Sequence, residues 1–265
     1  MQSANPTWTI VLPYFNEAAY LVPTLKSLTE QQFRKFRLIL VDNASTDGST
    51  DLARQFMASH PEIETIFIDE PEKGKIHAME TGANAVKTEF LAFCDADTYY
   101  PPHYMAVANR ILASPKADCV AVLAMDIYAE PASLGSRWRM TWRTAMTKIL
   151  SHQTHTGGYG FCFRTDIFKA AGGYSTKIWD YVLEDHEIIH RILRFGKVVY
   201  DRDFWCMPST RRSTQVAWNL REQILYHVTP YASQGWFFYK FLASRFDERN
   251  ATGLRLREKT WEPVE

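Results

Sequence analysis

Two aspartates, Asp95 and Asp97, carry the strongest chemical signal in the sequence. They follow the apolar run at residues 90–93, which predicts a buried strand, and precede residues 98–102, which must leave the sheet. Both carboxylates are therefore expected at the carboxyl end of a strand, where open α/β sheets bind ligands. Mg²⁺ and Mn²⁺ accept carboxylate oxygens together with substrate phosphates, so the pair predicts a metal site. Two capping aspartates in a turn are the alternative.

Two other acidic clusters have simpler explanations. Asp201 and Asp203 repeat the Asp-X-Asp spacing, but they lie among charged residues after a short strand, which predicts a solvated turn. Glu184 and Asp185 begin a predicted helix, and the helix dipole alone favours acids in a first turn. On this basis the pair is interpreted as structural, and the adjacent His186 is a poor candidate by itself.

Polar residues also follow two other predicted strands. Asp42 ends the strand at residues 38–41, and its carboxylate could accept hydrogen bonds from a nucleobase or a ribose hydroxyl. Lys73 and Lys75 flank a glycine at the start of a helix, a combination of cations and backbone amides that attracts phosphate. A solvated basic turn is the alternative for Lys73.

The order of the predicted elements indicates an α/β fold with a mostly parallel sheet. Apolar runs at residues 8–12, 38–41, 65–68 and 90–93 alternate with helical patterns at 20–29, 49–59 and 76–86, which is typical of βαβ units. Further helices are predicted at 104–113, 136–150 and 184–195, and further strands at 119–123 and 161–163. We predict a catalytic domain at 1–214, with a nucleotide-binding half at about 1–100 and an acceptor half at about 101–214, followed by a helical extension at 215–265.

The composition excludes several classes of protein. Thirty basic and thirty acidic residues give a formal net charge of zero, so the chain lacks the basic footprint of a nucleic-acid binder. The four cysteines show no zinc-binding spacing and lie mostly in apolar surroundings, which predicts reduced thiols and a cytoplasmic protein. The sequence has neither a signal-peptide pattern nor the run of about 20 apolar residues that spans a bilayer.

An ordered set of motifs between about residues 9 and 212 resembles the family 2 glycosyltransferases of the GT-A fold. The motifs are VLPYFNE at 11–17, VDNASTDGS at 41–49, GK at 74–75 with Gly82, DAD at 95–97, GFCFR at 160–164, GGY at 172–174, ED at 184–185 and RILRFG at 191–196. Any one of these motifs is weak, but the ordered set is highly specific.

The resemblance implies an inverting, metal-dependent glycosyltransferase of the hexosyltransferase type. Its donor would be a nucleotide sugar, with a UDP-sugar favoured, and its acceptor a small or lipid-linked glycan such as a cell-surface glycan precursor. Asp97 and Asp95 would hold Mg²⁺ or Mn²⁺, and Asp185 would be the catalytic base, with Glu184 beside it as the alternative. The implied donor-binding residues are Pro13, Asn16, Glu17, Asp42, Lys75, Asp95, Ala96 and Arg212, with Asp42 at the nucleobase and Arg212 at the diphosphate.

Two other functions are weighed against this one. A sugar-phosphate nucleotidyltransferase would carry a glycine-rich phosphate loop after the first strand, where this chain has residues 13–17, PYFNE. A non-catalytic nucleotide-sugar binding module would have no use for a base at Glu184 or Asp185. Processive synthesis is disfavoured because residues 215–218, QVAW, lack the arginine of the Gln-X-X-Arg-Trp motif. No downstream histidine is evident as a third metal ligand.

Two segments combine aromatic and basic residues. In the helix predicted at 136–150, an apolar stripe formed by Trp138, Trp142, Ala145, Met146 and Ile149 is flanked by arginine and lysine. Residues 236–257 repeat the combination. Packing of both segments on the core is one explanation. The other is a peripheral protein that contacts the inner face of a membrane, where tryptophan lies at the headgroup level and basic residues add attraction.

Overall fold

The computed structural model describes residues 6–114, 118–129, 131, 133–150, 153–210, 219–228 and 231–249. The strands are β1 Trp8–Tyr14, β2 Phe36–Asp42, β3 Thr65–Asp69, β4 Phe90–Cys94, β5 Thr98–Tyr99, β6 Cys119–Leu123, β7 Met125–Asp126, β8 Gly160–Arg164, β9 Lys197–Val199 and β10 Trp205–Pro208. The helices are α1 Leu21–Thr29, α2 Ser49–Ala58, α3 Lys75–Asn84, α4 Tyr104–Leu112, α5 Leu134–Ile149, α6 Thr165–Ala170, α7 Glu184–Ile192, α8 Leu220–Val228 and α9 Tyr231–Arg249.

A seven-stranded sheet forms the centre of the structure, in the order β3-β2-β1-β4-β8-β6-β9. The first four of these strands pair in parallel, β8 is antiparallel to both of its neighbours, and β6 and β9 are parallel. The predicted α/β fold with a mostly parallel sheet is therefore confirmed. β1 lies between β2 and β4, so the strand order reverses at β1, and open sheets bind ligands at such a point.

The central strands are mostly apolar and buried because helices cover both faces of the sheet. Ile10 and Leu12 of β1 lie in one buried cluster with Leu25 of α1. Val11, between them, lies in a second cluster with Met79 of α3. Successive side chains of a strand point to opposite faces, so one apolar strand contributes to both halves of the core.

A second, three-stranded sheet has the order β5-β10-β7. β10 is antiparallel to β5, with Pro208 opposite Thr98, and parallel to β7, with Cys206 opposite Asp126. β5 and β7 each contain two residues. Strands this short leave no detectable period in the sequence, so this sheet was not predicted.

The predicted apolar stripe of the helix at 136–150 does not pack on the core. In α5, which the structure describes in full, only Ser136 is buried. Trp138, Trp142 and Ile149 are exposed by 70%, 55% and 72%. For this helix the packing explanation is wrong.

The second aromatic segment packs as the core explanation predicts. A third buried cluster joins α8 and α9 to the segment before α7, and it contains Trp179, Val182, Tyr226, Phe238, Tyr239, Leu242 and Phe246. Phe237 is 65% exposed. Residues 250–257 and the domain boundary predicted at residue 214 lie outside the described residues.

Three further observations concern helices and cysteines. None of the described helices is long and apolar enough to cross a bilayer. The four cysteines are buried free thiols, as predicted. α7 ends at Ile192 rather than at the predicted residue 195, because the chain turns before Gly196.

Candidate active site

The loops that follow β1 and β2 are joined by hydrogen bonds at the carboxyl edge of the sheet. The Asn16 amide donates to Ser45 Oγ at 3.0 Å, and Asn16 Oδ1 accepts the Thr46 amide at 2.8 Å. The Glu17 amide donates to Ser49 Oγ at 2.8 Å, and Glu17 is buried. These bonds hold the two loops against each other, and Asn16 is half-buried between them.

Pro13 lies on β1 where β4 diverges from it. The Tyr14 carbonyl accepts the Asn43 amide beyond β2, so the backbone of Pro13 faces the β4 side. Pairing between β1 and β4 stops at Val11 and Phe93. A proline is tolerated here because no ladder hydrogen bond needs its missing N–H.

Asp42 ends β2 with both carboxylate oxygens engaged by its own loop. Oδ1 accepts the Ser45 amide at 2.8 Å, and Oδ2 accepts the Thr50 hydroxyl at 2.5 Å. Thr50 also contacts Tyr14 Oη, and burial raises the pKa of Tyr14 to about 12. Each carboxylate oxygen accepts two hydrogen bonds, so the half-buried Asp42 keeps acceptor capacity for a ligand.

Three contacts hold the backbone of the turn from Asp95 to Asp97. The Asp95 amide donates to Tyr100 Oη at 2.8 Å. The Thr24 hydroxyl donates to the carbonyl of the buried Ala96 at 2.9 Å. The Ser209 amide donates to the Asp97 carbonyl at 3.0 Å. α1 and the residues that directly follow β5 and β10 thus fix where the turn that carries the two carboxylates lies.

Lys75 connects this turn to α7. Its Nζ lies 2.9 Å from Asp95 Oδ1 and 4.0 Å from Glu184 Oε1. Burial alone would lower the pKa of Lys75, but the charges of Asp95 and Glu184 outweigh it and the pKa is raised. Lys75 is therefore a cation between two carboxylates at the first turn of α3.

Asp185 is held from two sides. Its Oδ2 accepts the Gly158 amide at 2.7 Å, and its Oδ1 accepts the amide and Nδ1 of His186, both at 2.8 Å. Burial alone would raise the pKa of Asp185, but His186 and then Lys75 lower it overall. The Gly158 position suits glycine, since a Cβ there would lie 2.9 Å from Asp185 Cβ.

The pKa of Glu184 shifts in the opposite direction. Burial and the adjacent Asp185 carboxylate disfavour its ionised form, and Lys75 compensates only in part, so the pKa of Glu184 rises to about 7. Two neighbouring acids whose surroundings move their pKa values apart are typical of acid–base sites.

Asp95 and Asp97 are the residues that could hold a divalent cation. Among the described residues, no group of three or more His, Cys, Asp or Glu side chains is arranged to hold a metal alone. Two carboxylates on one turn nevertheless fit Mg²⁺ or Mn²⁺, because these ions commonly take their remaining ligands from substrate phosphates and water. The hard oxygen donors present here match those ions.

The structure brings most of the predicted site residues to one edge of the sheet. Those that lie there are Pro13, Asn16, Glu17, Asp42, Lys75, Asp95, Ala96, Asp97, Glu184 and Asp185. Arg212 lies outside the described residues. Asp201 and Asp203 form the predicted solvated turn, where both contact Arg110 at 3.1 and 3.7 Å.

Three residues at the site were missed by reasoning from the sequence. His186 contacts Asp185, although nothing in the sequence pattern selected it. Tyr100 donates its hydroxyl proton to the Tyr159 carbonyl and thereby ties the Asp95 turn to the loop before β8. Only their positions in the sequence could have selected the two tyrosines: Tyr100 follows the DAD motif, and Tyr159 lies within the glycine-rich segment.

Fold and site together define an α/β protein with a sheet edge that carries carboxylates and a lysine and is suited to a phosphate-bearing ligand. The profile of the family described as Glycosyl transferase family 2 matches residues 9–171. The chain therefore belongs to glycosyl transferase family 2. This membership disfavours the nucleotidyltransferase.

One curated relative is the glycosyltransferase AglE of Haloferax volcanii, which is 24% identical over 176 residues, covering 66% of this chain and 58% of AglE. This chain likewise spans less than two thirds of the next curated relatives that it matches.

Solved structures share the GT-A fold. The mannosyltransferase PcManGT from Pyrobaculum calidifontis, in complex with GDP-Man and Mn²⁺, has a TM-score of 0.67 at 24% identity, covering 88% of this chain and 64% of that one. S. aureus TarS 1-349 in complex with UDP-GlcNAc has a TM-score of 0.58 at 16% identity, covering 91% of this chain and 73% of that one.

Proposed function

We propose that the chain transfers a hexosyl group from a nucleoside diphosphate sugar to an acceptor hydroxyl, with metal dependence and inversion at the anomeric carbon. A UDP-sugar is the favoured donor, and the acceptor is a small or lipid-linked glycan, such as a cell-surface glycan precursor. The observation that carries this proposal is the cluster in which Lys75 joins Asp95 to Glu184 beside Asp185. The binding of GDP-Man and Mn²⁺ by PcManGT, and of UDP-GlcNAc by TarS, supports a donor of this class.

Asp185 is proposed as the catalytic base. Its lowered pKa keeps it ionised at neutral pH, and its contacts with Gly158 and His186 fix its carboxylate. One carboxylate oxygen accepts the proton of the acceptor hydroxyl while that hydroxyl oxygen attacks the anomeric carbon. The bond from the anomeric carbon to the diphosphate breaks on the opposite face, which inverts the configuration. Glu184 is the alternative base.

The diphosphate is proposed to bind between α3 and the Asp95 turn. Lys75 is cationic and lies at the first turn of α3, where the helix dipole also favours an anion. When bound at Asp95 and Asp97, Mg²⁺ or Mn²⁺ would neutralise charge on the departing nucleoside diphosphate. Asn16, Glu17 and Asp42 lie in the loops after β1 and β2, which are assigned to the nucleoside.

A ligand screen followed by a turnover assay tests this function. UDP, GDP and their sugars are added with and without Mn²⁺, and the unfolding temperature is measured. A ligand at one hundred times its Kd stabilises the native state by about 2.7 kcal/mol, which such a measurement resolves. We expect stabilisation that needs the metal, together with slow release of nucleoside diphosphate from the matching donor.

Other outcomes would contradict the proposal. A nucleotidyltransferase would consume a nucleoside triphosphate and release pyrophosphate. A binding module would be stabilised by the donor but would never hydrolyse it. Stabilisation that is equal with and without metal would remove the role given to Asp95 and Asp97.

A further inference from the structure

The helix α5 carries its apolar face on the outside of the protein. Leu134, Trp138, Trp142, Ala145 and Ile149 are exposed, and we call these five residues the α5 stripe. At about 100° per residue they fall within an arc of about 80° on the helix. The rings of Trp138 and Trp142 are stacked, with their centres 6.0 Å apart and an angle of 6° between their planes. A contiguous exposed apolar surface of this kind marks an interaction site.

The opposite face of α5 is polar and fastened to the body of the protein. Arg139 and Arg143 both donate to the carboxylate of Asp126, which is buried at the end of β7. The hydroxyl of the buried Ser136 donates to the Ala129 carbonyl at 3.1 Å. Separating a buried carboxylate from its guanidinium partners is strongly unfavourable. The helix therefore cannot turn its stripe toward the core.

The charge on α5 selects the kind of partner. Its sequence has four basic residues and no acidic one, while the whole chain is balanced at thirty of each sign. Arg137 and Lys148 are exposed and lie along one flank of the stripe. Tryptophan prefers the headgroup level of a bilayer, and arginine and lysine beside it are attracted to anionic lipid. An apolar stripe bordered by cations complements such a surface.

We propose that the α5 stripe docks the protein on a bilayer that contains anionic lipid. Trp138 and Trp142 lie at the headgroup level, and Arg137 and Lys148 lie among the lipid phosphates. The helix stays parallel to the membrane surface, as expected of an amphipathic helix that lies on the bilayer and does not cross it.

The docked helix is linked to the candidate active site by a short series of contacts. The Arg139 guanidinium lies 5.1 Å from the centre of the Tyr128 ring, and the side chain of Tyr128 interacts with that of Tyr159. The Tyr159 carbonyl accepts the hydroxyl proton of Tyr100, which in turn accepts the Asp95 amide. An acceptor anchored in the same membrane would reach the site from the side of Tyr128. This consequence rests on the proposed function, whereas the docking itself does not.

Vesicle flotation of the full chain tests the docking. The vesicles contain either phosphatidylcholine alone or phosphatidylcholine with phosphatidylglycerol. We expect the protein to float with the anionic vesicles at low salt and to be released as salt rises. Trp138→Ser with Trp142→Ser should lower the partition coefficient about tenfold or more. Arg137→Glu with Lys148→Glu should lower it about fivefold for each unit of charge removed.

Matched variants control for general changes in polarity and charge. Leu52 and Ile178 are exposed apolar residues outside α5, and Leu52→Ser with Ile178→Ser should leave flotation unchanged. Lys87 and Lys177 are exposed elsewhere, and Lys87→Glu with Lys177→Glu changes the net charge by the same amount as the α5 charge variant. Unfolding temperatures of all variants establish that each one is folded.

Three outcomes overturn the docking proposal. In the first, the folded protein does not float with anionic vesicles at low salt. In the second, the control variants lose flotation as strongly as the α5 variants do. In the third, the α5 stripe mediates self-association: a dimer is seen without lipid, it is lost in the tryptophan variant, and the protein does not float. Nucleotide stabilisation measured on the same samples separates this proposal from the proposed function, since either can fail while the other stands.

Discussion

Replacing Gly158 by alanine should slow the transfer step without weakening donor binding. A Cβ at this position would lie 2.9 Å from Asp185 Cβ and 3.4 Å from Asp185 Oδ2. Carbon atoms pack at about 3.5–4.0 Å, so either the loop or Asp185 must move by roughly 0.6–1 Å. A misplacement of about 1 Å at a reacting group can cost about a hundredfold in rate. We therefore expect the transfer rate to fall about tenfold to a hundredfold.

The assay is metal-dependent release of nucleoside diphosphate from the donor that the ligand screen identifies. Donor binding is measured separately from the rise in unfolding temperature, and it should match that of the wild type. Gly135→Ala is the control, because a Cβ at Gly135 would have no atom within 4 Å and an alanine favours the helix. That variant should keep full turnover.

A wild-type rate in folded, donor-binding Gly158→Ala protein would refute the reasoning. The Gly158 loop would then not set the position of the base, or the base would not be Asp185. Equal losses in the Gly158 and Gly135 variants would point to a general effect of substitution and would also contradict it.

Three further predictions concern the acidic residues of the site. Asp97→Asn should abolish transfer and weaken metal-dependent nucleotide binding, whereas Asp203→Asn, at an exposed turn, should be nearly silent; the reverse result would show that the wrong Asp-X-Asp motif was chosen. Asp185→Asn should keep donor binding while transfer falls by about two to four orders of magnitude, and an unchanged rate would move the role to Glu184. Because the pKa of Glu184 rises from 4.5 to about 7 on folding, the folded state binds its proton more tightly, so its contribution to stability is complete below pH 4.5 and is lost as the pH rises to about 7. Glu184→Gln should remove this loss, worth up to about 3 kcal/mol, and parallel unfolding curves of both proteins across that pH range would contradict it.

The sequence was sufficient for the elements that place the first carboxylates. β1, β2 and β4 are mostly apolar runs with polar residues at or just after their ends, and buried parallel strands leave that pattern. Asp42 and Asp95 could therefore be placed at the carboxyl edge, and the structure brings them there. The short strands β5 and β7 could not be found in this way, because two residues define no period.

The sequence predicted which residues of α7 are candidates for catalysis, but not how their pKa values differ. Motif order selected Glu184 and Asp185, but the two acids differ through their surroundings. Asp185 is stabilised in its charged form by His186 and the Gly158 amide, while Glu184 is half-buried beside another carboxylate. The distance in sequence between Gly158 and Asp185 conceals this contact, so no local pattern could assign the two pKa values.

The α5 helix marks the limit of what the sequence determined about this protein. Its period fixed both the helix and the existence of an apolar stripe, because residues three and four apart lie on one face. Which face points inward was decided only by the tertiary structure. The buried carboxylate of Asp126, thirteen and seventeen residues from Arg139 and Arg143, binds both guanidinium groups and turns the stripe toward solvent. A hydrophobic pattern specifies what a helix can bury, but a buried charge must have its partners, and here that requirement set the orientation.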